Sequence, residues 1–175
     1  MNEYDFTLKF AYVDQSVDDE NLIEQLGEVG CDDAIIGLGQ KGRIALQFTR
    51  QAENAANAIT SAIRQVKSVI PDAKLIESTP DLMGLSDMAE LLGFSRQNMR
   101  KLMVTNIQSF PTPVHSGNTA IWHLASVLQW FEGKQRRVIE SGIKEVALVN
   151  MHINVTQEYA RLDKSGQAQL SALSI

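Results

Sequence analysis

The chain has 175 residues, 44% of them hydrophobic and 21% charged, with a net charge of -5. That is enough apolar content to bury a core, in one domain or two small ones. No apolar run is long enough to span a bilayer, and the polar, acidic start MNEYDFTLKF does not read as a signal peptide. The single cysteine, Cys31, excludes an internal disulfide and suits a reducing cytoplasm. With three scattered histidines it leaves no zinc-ligand spacing.

In the first half, Phe6, Leu8, Phe10 and Tyr12 alternate with smaller or polar residues, the period of a half-buried strand. After DDE, Leu22, Ile23, Leu26 and Val29 recur at helical spacing, and Gly30 is a natural stop. DAIIGL and RIALQF read as short strands flanking GQKG. The residues from Ala52 to Ile70 keep one apolar helical face until Pro71 ends it, and AKLIES supplies a last strand. The order βαββαβ over 1–79 predicts an α+β fold that starts with a ferredoxin-like sandwich. STPDLMG, with Pro80 and Gly84, marks the expected boundary to the next unit.

Two motifs in this half invite chemistry and do not support it. Gly37, Gly39 and Gly42 spell GxGxxG, but a pyrophosphate needs that turn to open a helix, and here a strand pattern follows. Cys31-Asp32-Asp33 has no histidine in residues 1–80 to activate the thiol, and two carboxylates make a poor metal site. Capping and turn chemistry is the economical role for them. The reading is therefore of a protein with no catalytic residues, no metal and no cofactor.

Charge is divided unevenly along the chain. Residues 1–80 hold seven Lys/Arg against thirteen Asp/Glu, and residues 81–175 hold nine against eight. Between 95 and 137 stand Arg96, Arg100, Lys101, Lys134, Arg136 and Arg137 against Glu132 alone. An acidic half and a locally basic half suit separate surfaces for a partner and a polyanion.

The basic part carries a spacing of its own. In LSDMAELLGFSRQNMRKLM, Ser86 is positioned to cap a first helix with Met88, Ala89, Leu91 and Leu92 on its apolar face. Gly93 permits a left-handed exit, and Ser95 caps a second helix anchored by Met99, Leu102 and Met103. Small Ala89 four residues before Gly93 lets two short helices cross closely, as in a helix-turn-helix. Gln97, Arg100 and Lys101 then face outward, with Arg96 at the flank. Arg reads guanine and Gln reads adenine in the major groove, while Lys and the helix N-terminus hold phosphates. An extended FPTPV, a turn at His115, Ser116, Gly117, Asn118 and Thr119, the apolar pair Ile121 and Trp122, and a helix with Leu124, Val127, Leu128 and Phe131 complete a winged pattern.

Residues 85–131 resemble the excisionase-type DNA-binding domains, related to the MerR-type winged helices. The resemblance is carried by Ala89, Gly93, Ser95, Arg96, Phe110, Pro111, Pro113, Gly117, Trp122 and Trp130. It implies that the helix beginning at Ser95 enters the major groove of double-stranded DNA and that loop 115–119 reaches phosphates or the minor groove. It also implies a bacterial or phage transcription regulator. The wing tip departs from a cationic wing in having no Arg or Lys.

The expected organisation is thus a sandwich at 1–79, a winged helix-turn-helix at 80–133, a helix at 134–163 with Gly142 at a kink, and a flexible tail at 164–175. Leu148, His152, Val155, Tyr159 and Leu162 step by four, three, four and three. That stripe reads either as a dimerisation helix or as a helix folded back on its own domain. One recognition helix reads few base pairs, so a homodimer is expected, with the N-terminal domain free for a protein partner or a ligand.

Overall fold

The computed structural model describes residues 1–14, 16, 18–135 and 138–173. The fold is α+β, and its described residues hold seven helices, a four-stranded antiparallel sheet and a two-stranded ladder. Among those residues no helix is long and apolar enough to cross a membrane.

The sheet is built from β1 (Asn2–Ala11), β2 (Ala34–Gln40), β3 (Arg43–Ala52) and β4 (Lys74–Thr79), in the order β2-β3-β1-β4. The alternation in β1 sets which face is buried. Tyr4, Phe6, Leu8 and Phe10 lie inside, and their registered partners Arg50, Phe48, Leu46 and Ile44 on β3 are buried too. Phe6 and Phe48 stack at 5.0 Å. Helices α1 (Asp19–Leu26) and α2 (Ala55–Val69) supply Leu22, Leu26, Ala58, Ile59, Ala62 and Val66 to the same core. The glycine motif is a strand–turn–strand: Gly37 and Gly39 lie on β2, Gly42 turns at φ 71°, and β3 follows.

A buried cation pins α1, β3 and α2 together. After α1 the chain leaves helical geometry at Gly30, φ 98°. Arg50, 6% exposed, donates from Nε and Nη2 to the two Asp33 oxygens at 2.7 and 2.8 Å. Its Nη2 also reaches the Gly30 carbonyl at 2.7 Å, and Nη1 reaches Gln65 Oε1 at 2.7 Å and Ser61 Oγ at 3.0 Å. Asp33 therefore does more than turn the chain: it neutralises a guanidinium that the core could not otherwise hold. Cys31 is buried beside this hub, and burial pushes its thiol up, with Arg50 pulling the other way. A thiol held protonated is a poor nucleophile.

The second core gathers around α3 (Leu85–Leu91), α4 (Arg96–Thr105) and α5 (Leu124–Gln135). Gly84, rather than Ser86, is the N-cap of α3. The helix starts two residues earlier because β5 (Leu82–Gly84) pairs with β6 (Ile121–His123) and delivers the chain directly into it. Phe110 packs edge-on to Trp130 at 4.9 Å and to Trp122 at 6.0 Å. The indole N–H groups donate to Pro111 O and Ser109 Oγ, so the start of the extended FPTPV segment is held from two sides.

Helix α6 (Ser141–Ala160) joins the two cores, with Val146 in the first and Ala147 in the second. Its predecessor α5 ends at Gln135, so the interruption precedes Ser141, and Gly142 sits in the first turn of α6 rather than at a kink within it. Glu145 accepts from Tyr4 Oη at 3.0 Å and from Ala55 N at 3.3 Å, placing a carboxylate at the N-terminus of α2. Further along, Asn150 accepts from Ser78 Oγ and donates to Pro80 O. Asn154 accepts from Ser78 N and donates to Ser78 O and Asp81 Oδ2 at 2.8 Å. Asp81, fully buried, also lies 2.7 Å from His123 Nδ1 on β6. The segment 78–81 that the sequence marks as a boundary is thus bonded on both sides. Each such bond nets only about 1 kcal/mol, but leaving its buried partner unpaired costs about 1–3 kcal/mol. Asn154→Ala, which strands Asp81 Oδ2 and two backbone groups, is expected to lower stability by about 2 kcal/mol in a urea titration. A neutral result would show that water replaces the amide.

Beyond α6 the chain forms α7 (Lys164–Ser171), capped by Asp163 Oδ1 at Gly166 N, where a flexible tail was expected. The local cap is what the tail reading left out. Residues 174 and 175 lie outside the described residues, as do Arg136 and Arg137.

Candidate nucleic-acid interface

The turn between α3 and α4 positions the outward side chains. Gly93 sits at φ 69°, its N–H bonding Glu90 O at 3.1 Å, while Phe94 N reaches back to Ala89 O at 2.8 Å. These are the paired bonds of a left-handed helix ending. Ser95 then opens α4, its Oγ accepting from Asn98 N at 3.1 Å. Ala89 and Met99 are buried at the crossing, and Leu102 and Met103 are half-buried.

What remains of α4 faces solvent. Arg96, Gln97, Arg100 and Lys101 are all exposed. Among the described residues no carboxylate comes within ion-pair distance of Arg96, Arg100 or Lys101. Lys9, Arg50, Lys144 and Arg161 each have an acid partner, while Lys41, Arg43, Arg64, Lys67, Lys74, Lys134 and Lys164 have none among the described residues, so what marks α4 is three such cations on one short helix. Unpaired cations on one helix face retain their full charge for an anionic partner. Val104, 57% exposed, continues that face toward the C-terminus of α4. It had no place in the reading by charge, though an apolar group beside Arg and Lys can meet a thymine methyl.

The loop after FPTPV closes as a hairpin. Val114 N donates to Ile121 O at 2.8 Å and Ile121 N to His115 O at 3.0 Å, leaving Ser116, Gly117, Asn118 and Thr119 at an exposed tip. Asn118 and Thr119 line a groove of about 450 Å³ together with Arg96 and Arg100. Asp87, from the first turn of α3, lines it too and sets a negative charge near its wall. The structure therefore brings Arg96 and Arg100 of the predicted helix set together with Asn118 and Thr119 of the predicted wing set, while Ser95, Gln97, Lys101, His115, Ser116 and Gly117 do not line that groove. The stripe from Leu148 to Leu162 lies apart, on α6 and just beyond it. Among the described residues no group of three or more His, Cys, Asp or Glu side chains is placed to hold a metal ion.

Comparisons with protein families, curated proteins and solved structures find no match to this chain.

Proposed function

We propose that the chain is a sequence-specific double-stranded DNA-binding protein, a transcriptional regulator that acts by binding and not by catalysis. In this reading 1–79 is a ferredoxin-like sandwich and 80–133 a winged helix-turn-helix of the excisionase type. The observation that carries it is the pair of unpaired, exposed cations Arg96 and Arg100 on α4, which share one groove with Asn118 and Thr119 of the hairpin tip. Arg100 and Gln97 have the side chains for base edges, and Arg96, Lys101 and the helix N-terminus those for phosphates. The uncharged tip 115–119 serves as a weaker, hydrogen-bonding contact. A homodimer reading two half-sites about one helical turn apart supplies the specificity that one short helix lacks.

Selection of bound fragments from a random double-stranded DNA library by the purified full chain tests the proposal. The expected result is one enriched motif whose affinity falls steeply with salt. No enrichment over a non-specific control, or salt-independent binding, overturns it.

A second reading makes the chain an antitoxin-like or adaptor protein whose N-terminal domain holds a protein partner, DNA binding being kept for autoregulation. It is favoured by a cleft of about 560 Å³ beside β1 and β4 whose walls include Glu3, Asp5, Glu77, Asp87 and Glu140 against Lys9 alone. Co-purification of the tagged chain with the product of an adjacent gene supports it, and recovery of the chain alone counts against it.

A further inference from the structure

Helix α6 uses two faces differently. Val146, Ala147 and Asn150 are buried, and Val149, Ile153 and Asn154 are half-buried against the sheet and the 78–81 segment. The heptad stripe is on the other side. Leu148 is 46% exposed, Val155 49%, Tyr159 59% and Leu162 50%, and His152 is exposed as well. At about 100° per residue, Leu148 and Val155 fall within about 20° of one line, with Val146 and Ile153 roughly opposite Val155, and Leu162 follows just past the end of the helix. The expectation of a helix folded back on its own domain is met by the inner face. The outer face leaves the stripe uncovered.

The segment after the stripe adds an independent point. Helix α7 has eight residues and none of them is buried. A helix of that length is unstable in water without packing, yet Leu170 and Leu173, eight and eleven residues after Leu162, stand 48% and 66% exposed.

Charge narrows the choice of what covers this surface. The charged side chains flanking the stripe are already matched within the chain. Lys144 pairs with Glu132 at 2.5 Å, and Glu158 pairs with Arg161 at 2.8 Å. A rim that is neutral in pairs has no net field to attract a polyanion or an anionic membrane. Two copies of it can meet without like-charge repulsion, and the four-three spacing is that of one helix packed along another.

We propose that the outer face of α6, centred on Val155 and extended by Leu148, Tyr159 and Leu162, pairs with the same face of a second copy in an isologous dimer. An isologous contact closes on itself and leaves no free face for further growth. The pairing gives the homodimer of the DNA-binding reading its surface, and its own evidence lies in the C-terminal helices.

The test is the mass of the full chain by light scattering in the absence of DNA. Wild type is expected as a dimer. Val155→Glu and Val155→Lys are each expected as monomers with unchanged far-UV circular dichroism, their self-association weaker by on the order of 100-fold or more. Mixing the two variants is expected to restore the dimer, because opposite charges then face each other. A monomeric wild type, dimeric single variants, or a mixture that stays monomeric overturns the proposal. Should a Val155 variant lose helical signal, Tyr159→Glu replaces it, and a folded dimer of that variant is equally fatal. A dimer that retains no DNA defeats the DNA reading alone, and a monomer that binds DNA defeats this pairing alone.

Discussion

Arg50→Ala is expected to lower the free energy of unfolding by about 3–5 kcal/mol, the range for removing one partner of a buried ion pair. The side chain is 6% exposed and makes five hydrogen bonds, so its loss strands the Asp33 carboxylate and leaves Gly30 O, Gln65 and Ser61 each short of a donor. Asp33 keeps 30% of its side chain in solvent, which places the expectation at the lower end of that range. Marginal stability of about 5–15 kcal/mol makes even that a large fraction. Arg50→Lys is expected to recover little, because a single ammonium cannot fork to both Asp33 oxygens while reaching Gly30 and Gln65. Urea denaturation followed by far-UV circular dichroism measures both. A loss below about 1 kcal/mol for the alanine variant would mean that water substitutes for the guanidinium.

On the functional side, Arg100→Ala is expected to cost roughly 1–3 kcal/mol of affinity for the selected site, about 5- to 150-fold, and to relax specificity at one base position. Lys101→Ala is expected to weaken specific and random DNA alike and to reduce the slope of log affinity against log salt by about 0.9, one phosphate contact. Anisotropy titrations of both variants on both DNAs over a salt series separate the two roles. Equal losses on specific and random DNA for Arg100→Ala would reassign it to the phosphate backbone. No loss for either would remove α4 from the interface. Both residues are exposed, so the folded state should be unaffected, and a thermal melt checks this.

The elements legible from sequence are those with a strong local period or a strong local constraint. The alternation of Phe6, Leu8 and Phe10 and the pattern after Gly42 both lead to the observed strands. Gly93 and Ser95 occupy the left-handed and capping positions that their chemistry suggests, and Met99 is the anchor of α4. Less legible is whatever depends on distant partners. Strand β5 spans three residues, too short for periodicity, and forms because Trp122 and its neighbours come back to pair with it. The inward face of α6 carries buried Asn150 and half-buried Asn154, which no hydrophobic pattern would place inside; they sit there because Ser78, Pro80 and Asp81 accept or supply their hydrogen bonds. Arg50 escaped notice for the same reason, since its acid lies seventeen positions away in sequence.

The seating of α6 against β1, β4 and α2 has a consequence for how the protein comes into being. The side of the sheet that α6 covers is completed by Val146, Glu145, Asn150 and Asn154, more than sixty residues after β4 has been made. A ribosome adding about 5–20 residues per second leaves the β1 and β4 end of that face without α6 for several seconds, and the second core waits for Ala147 of the same helix. One late helix thus completes both cores, and the first unit to emerge waits for the same element as the second. That closure fixes how α4 sits relative to the sheet. Truncation before residue 141 would therefore leave the N-terminal unit with an unsealed flank and not with an independent module, a point that matters for anyone cutting this chain into fragments.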